Sequence, residues 1–143
     1  MKVLFDTNVI LDALQKREPW ADDAEKLFLL VASDKIEGFV TVKQLCDIWY
    51  LASQIYKSEE NSHKKAQKHI SDLIKVFNVL DVTGSDIEEA IAMELSDYED
   101  AVMSASAVRN HMDAIVTRNT KDFPGNIKIL KIYTPSELLE LFF

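Results

Sequence analysis

The chain opens with KVLFDTNVI, residues 2–10, and this stretch decides the fold. Its apolar run over residues 2–5 ends at Asp6, as expected of a short buried strand. Apolar residues at helical spacing follow directly in residues 8–14. A buried strand that leads at once into a helix is typical of an α/β sheet, in which ligands bind at the carboxyl ends of the strands.

The same alternation of strand and helix continues to the C-terminus. Sequences with the form of a capping box, Ser85 to Glu88 and Thr134 to Glu137, mark two helix starts. We predict strands at residues 2–5, 38–42, 78–82, 114–117 and 127–132. We predict helices at residues 8–14, 20–32, 43–56, 70–77, 85–95 and 97–111, with a short one after Pro135. Strands that alternate with helices pair in parallel through right-handed crossovers. The prediction is therefore one doubly wound α/β domain over residues 1–143.

Composition places the chain among folded cytoplasmic proteins. It has 143 residues with 48% hydrophobic content, which suffices for one domain with a real core. No apolar run approaches the roughly 18 residues needed to cross a bilayer, and residues 2–6 lack a secretory pattern. The single cysteine, Cys46, lies in an apolar stretch, and we expect it to be a buried thiol in a reducing compartment. Only three glycines are present, which disfavours a glycine-rich nucleotide loop.

The net charge of −8 bears on the choice of partner. A strongly acidic protein gains no general attraction to phosphate backbones. Part of the negative charge falls in the metal site predicted below, where cations would offset it. The charge therefore argues against tight, non-specific nucleic-acid binding and leaves a site-specific contact open.

Four acidic residues far apart in sequence follow a predicted strand or stand near a predicted helix start. They are Asp6, Asp47, Asp100 and Asp122. In an α/β sheet such positions converge on one edge. Crowded carboxylates repel one another and do not all stay ionised unless a cation joins them. Hard divalent ions, Mg²⁺ or Mn²⁺, prefer oxygen ligands, so a metal-dependent phosphodiester hydrolase is the leading interpretation.

Asp6 and Asp100 are the best-supported candidates. Asp6 follows a strand and precedes a helix, so it serves either as a helix N-cap or as a catalytic acid. Asn8 could fix its rotamer, as metal carboxylates usually require. Asp100 falls in the first turn of a helix with a face of small residues, which would let the helix pack close to the sheet. Asp97, which the helix dipole alone would explain, is the reserve candidate.

The last strand-end segment, residues 115–122, supplies the remaining candidates. Asp122 is a better anionic ligand than Asn119, which offers only a neutral carbonyl oxygen. Thr117 could orient a ligand, and Arg118 could contact a substrate phosphate. Asp47 is the weakest acid, because helical periodicity places it opposite the apolar stripe of its helix.

These motifs together resemble the PIN-domain family, which includes the VapC-type toxin ribonucleases. The resemblance covers nearly the whole chain and rests on FDTNVILD at residues 5–12, YEDAV at residues 98–102 and IVTRNTKDF at residues 115–123. Each motif alone is weak, whereas their order and spacing together are specific. Two positions depart from the pattern of many relatives: Asp47 stands where they have Glu, and Asn119 where they have Asp.

The resemblance implies a three-layer α/β/α fold with a central parallel sheet of about five strands, in the order 3-2-1-4-5. It implies that Asp6 and Asp100 bind Mg²⁺ or Mn²⁺ together with Asp122, or with Asn119 as a weaker ligand, and that Asp47 assists. It also implies that the protein cleaves single-stranded RNA. It also implies a homodimer and a small antitoxin partner that inserts into the acidic groove. Residues 138–143 and Trp20 are the candidate association surfaces.

Two other functions remain as alternatives. A degenerate PIN domain would bind protein or RNA without cutting, which the departures at Asp47 and Asn119 favour. A haloacid-dehalogenase-like phosphatase would use Asp6 as a nucleophile, but it needs a second Asp two residues later, where this chain has Asn8.

Overall fold

A computed structural model describes residues 1–123 and 130–143. The strands are β1 (Lys2–Phe5), β2 (Glu37–Thr41), β3 (Asn78–Leu80), β4 (Ala114–Val116) and β5 (Lys131–Tyr133). The helices are α1 (Thr7–Leu14), α2 (Ala21–Ala32), α3 (Val42–Ile55), α4 (Ser62–Val76), α5 (Gly84–Ala92), α6 (Tyr98–Arg109) and α7 (Pro135–Glu140). The first four predicted strands all form, within two residues of their predicted ends. Of the predicted fifth strand, residues 127–129 lie outside the described residues.

The sheet is five-stranded and wholly parallel, in the order β3-β2-β1-β4-β5. Leu4 of β1 pairs with Phe39 on one side and Ile115 on the other. The predicted three-layer α/β/α architecture and its strand order 3-2-1-4-5 are confirmed. Because β1 is central, Asp6 emerges in the middle of the carboxyl edge of the sheet.

The two faces of the sheet bury different partners. Val3 and Phe5 point into a core that α1, α2, α3, α4 and α7 cover. Leu4 points to the opposite face, where Met103 and Ala107 of α6 pack. Every residue of α6 from 101 to 107 is buried, and most of them are small. This helix is therefore held between the sheet and α5, which fixes the position of its N-terminal turn.

Three local predictions are wrong, and a fourth is met only in part. Helix α4 begins at Ser62, eight residues before the predicted start at residue 70, because Ala66 extends its buried face. The cap of α5 is Thr83 with Asp86, not Ser85 with Glu88, because the Thr83 hydroxyl accepts the Asp86 amide. Cys46 is exposed, because α3 buries Ile48 and Ala52 on its inner face. At the C-terminus, the proposed association surface is split. Leu138 and Leu139 lie in the core, whereas Leu141 and Phe143 are exposed.

Among the described residues, no helix is both long and apolar enough to cross a membrane.

Candidate functional site

One cavity of about 510 Å³ lies at the carboxyl edge of the sheet, between α3 and α6. Eight of the nine candidate residues from the sequence line it: Asp6, Asn8, Asp47, Asp97, Asp100, Thr117, Asn119 and Asp122. They come from the ends of β1 and β4, from the start of α6 and from the second turn of α3. The topology thus brings together residues up to 116 positions apart in the sequence.

Asp6 is held by the neighbouring strand rather than used as a cap. Its backbone N–H donates to the Val116 carbonyl at 2.9 Å, and its Oδ2 accepts the Thr117 hydroxyl at 2.8 Å. Although Asp6 occupies the N-cap position of α1, its side chain makes no capping hydrogen bond. Burial raises its pKa, and the Thr117 hydrogen bond and the nearby backbone amides only partly offset this rise. The carboxylate is therefore fixed in orientation and costly to ionise without a cation.

Three further carboxylates form a cluster at the start of α6. Carboxylate oxygens of Asp97, Asp100 and Asp122 all lie within 4.8 Å of one another. Asp97 also caps α6, because its Oδ1 accepts the backbone N–H of Asp100 at 3.2 Å. Burial, followed by repulsion from Asp97, Asp6 and Asp122, raises the pKa of Asp100 to about 7. The reserve candidate Asp97 is therefore part of this cluster of carboxylates.

Asp122 sits in a single 3₁₀ turn, Thr120–Asp122, just beyond β4. The Asn119 side-chain amide donates a hydrogen bond to Asp122 Oδ2. The buried Thr117 hydroxyl, which donates to Asp6, also accepts the Asn119 backbone N–H at 3.1 Å. One short segment thus orients two acids, and Asn119 serves here to position Asp122.

Asp47 lines the cavity but already forms an ion pair with Lys43. The Lys43 ammonium lies 2.5 Å from Asp47 Oδ2 and 2.6 Å from Glu99 Oε1, joining α3 to the first turn of α6. Burial opposes the charge on Lys43, yet its hydrogen bonds to Asp47 and Glu99 raise its pKa above the usual value. Lys43 was not among the residues predicted from the sequence, although its spacing of four residues from Asp47 on one helix is the signal of an ion pair.

Gln44 is a second residue of the site that was not predicted from the sequence. Its side-chain amide donates to the Phe5 carbonyl at 2.6 Å and its carbonyl oxygen accepts the Thr41 N–H at 2.8 Å. It therefore ties the end of β1 to the start of α3, immediately beside Asp6. The capping-box spacing from Thr41 to Gln44 was available in the sequence as a signal for this helix start.

Arg118, the predicted phosphate contact, does not line the cavity. Its Nε lies 3.3 Å from Asp12 Oδ2, and its guanidinium stacks 4.0 Å above the Trp20 ring. Asp12 is fully buried, and neither of its carboxylate oxygens has a hydrogen-bond partner among the described residues. A buried carboxylate needs a nearby counter-charge. Arg118 therefore lies beside Asp12 and outside the cavity lining.

The cavity has the donors that a hard divalent cation requires. Oxygens on opposite sides of an octahedral Mg²⁺ lie roughly 4.2 Å apart, given bonds of about 2.1 Å, and the Asp97–Asp100–Asp122 oxygens are gathered within a comparable span. The raised pKa of Asp100 also favours a cation here, because burial and then repulsion from the neighbouring carboxylates oppose its ionisation, and a cation would offset the repulsion. Asp97, Asp100 and Asp122, with Asp6 beside them, are the residues that could hold the metal.

A parallel sheet in this order, with an acidic cavity at its carboxyl edge, defines the PIN-like class of α/β proteins. A family model described as a PIN domain matches residues 2–121. The chain belongs to the PIN-domain family.

Solved structures similar to this chain include toxin–antitoxin proteins. VapBC2 from Rickettsia felis, bound to a promoter DNA fragment, is 15% identical with a TM-score of 0.67, covering 94% of this chain and 98% of that one. A toxin–antitoxin complex from Klebsiella pneumoniae is 22% identical with a TM-score of 0.65, covering 93% and 97%. Mycobacterium tuberculosis VapC20, a Sarcin-Ricin loop cleaving toxin, is 17% identical with a TM-score of 0.60, covering 87% and 91%. At identities this low, the matches show a likeness of fold alone. No curated protein matches the sequence.

Proposed function

We propose that this chain is a metal-dependent ribonuclease that hydrolyses single-stranded RNA, and that it is the toxin of a type II toxin–antitoxin pair. The observation that carries the proposal is the convergence of Asp6, Asp47, Asp100 and Asp122 on one cavity of a PIN domain. The structural likeness to toxin–antitoxin complexes supports the second part.

The proposed cofactor is Mg²⁺ or Mn²⁺, held by Asp6, Asp100 and Asp122 together with Asp97. A bound divalent cation supplies charge stabilisation for the phosphate and lowers the pKa of water. The protein's part is orientation: Thr117 fixes Asp6, Asn119 fixes Asp122, and the buried body of α6 fixes Asp100. Water is the proposed attacking group, so the products are expected to carry 5′-phosphate and 3′-hydroxyl ends.

Electrostatics make RNA binding itself depend on the cation. Among the described residues, the cavity is lined by six carboxylates and by one basic residue, Lys43. The carboxylates belong to Asp6, Asp47, Asp97, Glu99, Asp100 and Asp122. A phosphodiester is repelled from such a surface unless cations neutralise it. We therefore expect chelation to abolish RNA binding at the site as well as cleavage.

The proposed partner proteins are a small antitoxin and a second copy of this chain in a homodimer, in the cytoplasm. The acidic cavity fits an antitoxin segment that carries an Arg or Lys side chain. Tyr50 and Tyr98, 59% and 49% exposed at its rim, could bury apolar residues of the same segment. Light scattering after size-exclusion chromatography would check the homodimer directly, and a monomer would contradict it.

A degenerate PIN domain that binds without cutting is the second candidate. The Lys43 ion pair favours it, because this contact occupies Asp47, which stands where many relatives have a catalytic Glu.

Cleavage of labelled single-stranded RNA tests the nuclease against this alternative. We expect wild type to cleave with Mn²⁺ or Mg²⁺ and not with EDTA. Asp6→Asn should lower the rate by at least about 100-fold, because it removes a charged group from the transition state while keeping the side-chain shape. Asp72→Asn, on the exposed face of α4, is the matched control and should retain the wild-type rate.

The outcomes separate the two functions. An Asp6→Asn protein as fast as wild type in Mn²⁺ would show that the site is wrongly assigned. Folded wild-type protein that binds RNA but cuts none of a broad panel of single strands would favour the binding module.

A further inference from the structure

Lys43 holds a special position in the cavity. Of the residues described as lining it, Lys43 alone carries a basic side chain. It comes from the first turn of α3, whereas one of its two partners, Glu99, comes from the first turn of α6. Its ammonium therefore bridges the two helices that form opposite walls of the cavity.

The ion pairs divide the acids into two groups. Asp97, Asp100 and Asp122 have oxygens within 4.8 Å of one another, and Asp6 adjoins them closely enough to raise the pKa of Asp100. Asp47 and Glu99 form the second group, with one oxygen of each at 2.5 and 2.6 Å from the Lys43 Nζ. Among residues 1–123 and 130–143, the first group has no basic side chain paired with it, whereas the second group is paired with Lys43.

A second divalent cation would need the second group. Mg²⁺ and Mn²⁺ bind through carboxylate oxygens, and the remaining carboxylates among the described residues of the cavity lining are the two that Lys43 engages. An ammonium and a divalent cation at the same two carboxylates repel each other and compete for the same oxygens. Lys43 thus engages the carboxylates that a second metal would need.

We propose that Lys43 is a built-in counter-ion that restricts this site to a single divalent cation, held on the Asp97–Asp100–Asp122 side. This inference rests on the proposed metal-dependent function and adds the number of ions to it. Asp47 then acts through Lys43, as an anchor for the ammonium, rather than as a metal ligand.

Titration with Mn²⁺ alone, without RNA, tests the proposal. Calorimetry gives the number of ions bound, and electron paramagnetic resonance distinguishes an isolated Mn²⁺ from an exchange-coupled pair. We expect wild type to bind one ion with an isolated signal. Lys43→Gln should bind a second ion and show the coupled signal, because Asp47 and Glu99 become free. Lys43→Arg keeps the charge and should behave as wild type.

Two further variants make the result specific. Lys68 forms the same four-residue-spaced pair with Asp72 on α4, at 2.6 Å and far from the cavity. Lys68→Gln removes an equal charge and should leave one ion bound. Adding Asp47→Asn to Lys43→Gln should remove the second ion again. Both Lys43 and Asp47 have side chains at least 40% exposed, so folding is expected to survive and circular dichroism verifies it.

Three results would overturn the inference: two ions on wild type, one ion on Lys43→Gln, or a second ion on Lys68→Gln as well. If wild type binds one ion and cleaves RNA while Lys43→Gln is unchanged, only this inference fails. If wild type binds no Mn²⁺ and cleaves nothing, the proposed function fails with it.

Discussion

At the scale of single residues, the charge state of Asp100 is set by its neighbours. Its ordinary pKa of 3.8 rises to about 7, first through burial and then through repulsion by Asp97, Asp6 and Asp122. Between these two values the folded protein holds a proton that the unfolded chain has lost. Without metal, the free energy of unfolding must therefore fall as the pH rises through this window.

The melting temperature of metal-free protein in EDTA tests this linkage. We expect wild type to melt lower at about pH 8 than at about pH 5, and Asp100→Asn to show a smaller drop, because the amide does not titrate. Mn²⁺ at the higher pH should stabilise wild type more than Asp100→Asn, since the ion binds only the folded site. Asp72→Asn should keep the wild-type slope. Equal slopes for wild type and Asp100→Asn would contradict the assigned pKa.

At the scale of elements, the pairing of α5 with α6 depends on one buried carboxylate. Asp86 is 2% exposed and accepts hydrogen bonds from Arg109 Nε at 2.8 Å and from the Ser106 hydroxyl at 2.9 Å. It also accepts the Thr83 N–H at the start of α5. The Arg109 hydrogen bond is the main cause that lowers the pKa of Asp86 to about 2. Because Asp97 and Asp100 lie at the start of α6, the Asp86–Arg109 ion pair helps to fix the helix that positions these two acids.

Replacing Asp86 should lower the free energy of unfolding without changing any residue that lines the cavity. Asp86→Ala leaves the buried Ser106 hydroxyl and part of the Arg109 guanidinium without an acceptor. We therefore expect the free energy of unfolding, measured by urea denaturation at neutral pH, to fall by about 3 kcal/mol. The lowered pKa means that this contribution is present above pH 3.8 and is lost as the pH falls towards about 2. Glu88→Ala, on the exposed face of α5, should change stability by under about 0.5 kcal/mol. A similar small change in Asp86→Ala would refute the role given to the pair.

At the scale of the whole molecule, the sheet and its helices meet at a cluster of three aromatic rings. Phe77 packs edge-on against Phe5 and Phe28, with ring centroids 5.0 Å apart in both pairs. Gly38 on β2 leaves the space for this ring. A Cβ at Gly38 would lie 2.8 Å from Phe77 Cδ1 and 2.8 Å from Val31 Cγ1.

Gly38→Ala should therefore be destabilising through packing alone. Neither Gly38 nor Gly84 has a positive φ, so backbone strain is not involved. We expect Gly38→Ala to lose about 1–3 kcal/mol, because the clash falls on a filled core. Gly84→Ala meets no atom within 4 Å and should be neutral or up to about 1 kcal/mol more stable, through the unfolded chain. Thermal denaturation of the two variants side by side checks the contrast; equal melting temperatures would contradict it.

Much of the fold was accessible from the sequence because its signals are local. Apolar runs that end at Asp6 or near Thr117, and apolar stripes at helical spacing, report burial directly. Helix starts were less secure: Thr83 and Ser85 both begin sequences with acidic residues three positions later, and only packing selects between them. Cys46 was misplaced for the same reason, since apolar character on all sides of α3 does not show which side meets the sheet.

The sequence by itself determined the alternating α/β pattern with parallel pairing and the acidic residues at the strand ends, because periodicity and crossover handedness follow from hydrophobic pattern and chirality. The strand order and the family followed from the resemblance of its motifs to PIN domains. Only the tertiary structure decided how the charges pair. In the folded protein, Arg118 pairs with Asp12, and Lys43 contacts both Asp47 and Glu99. Asp97 lies with Asp100 and Asp122. Such pairings depend on distances of a few ångströms between distant segments, over which Coulomb energies change steeply.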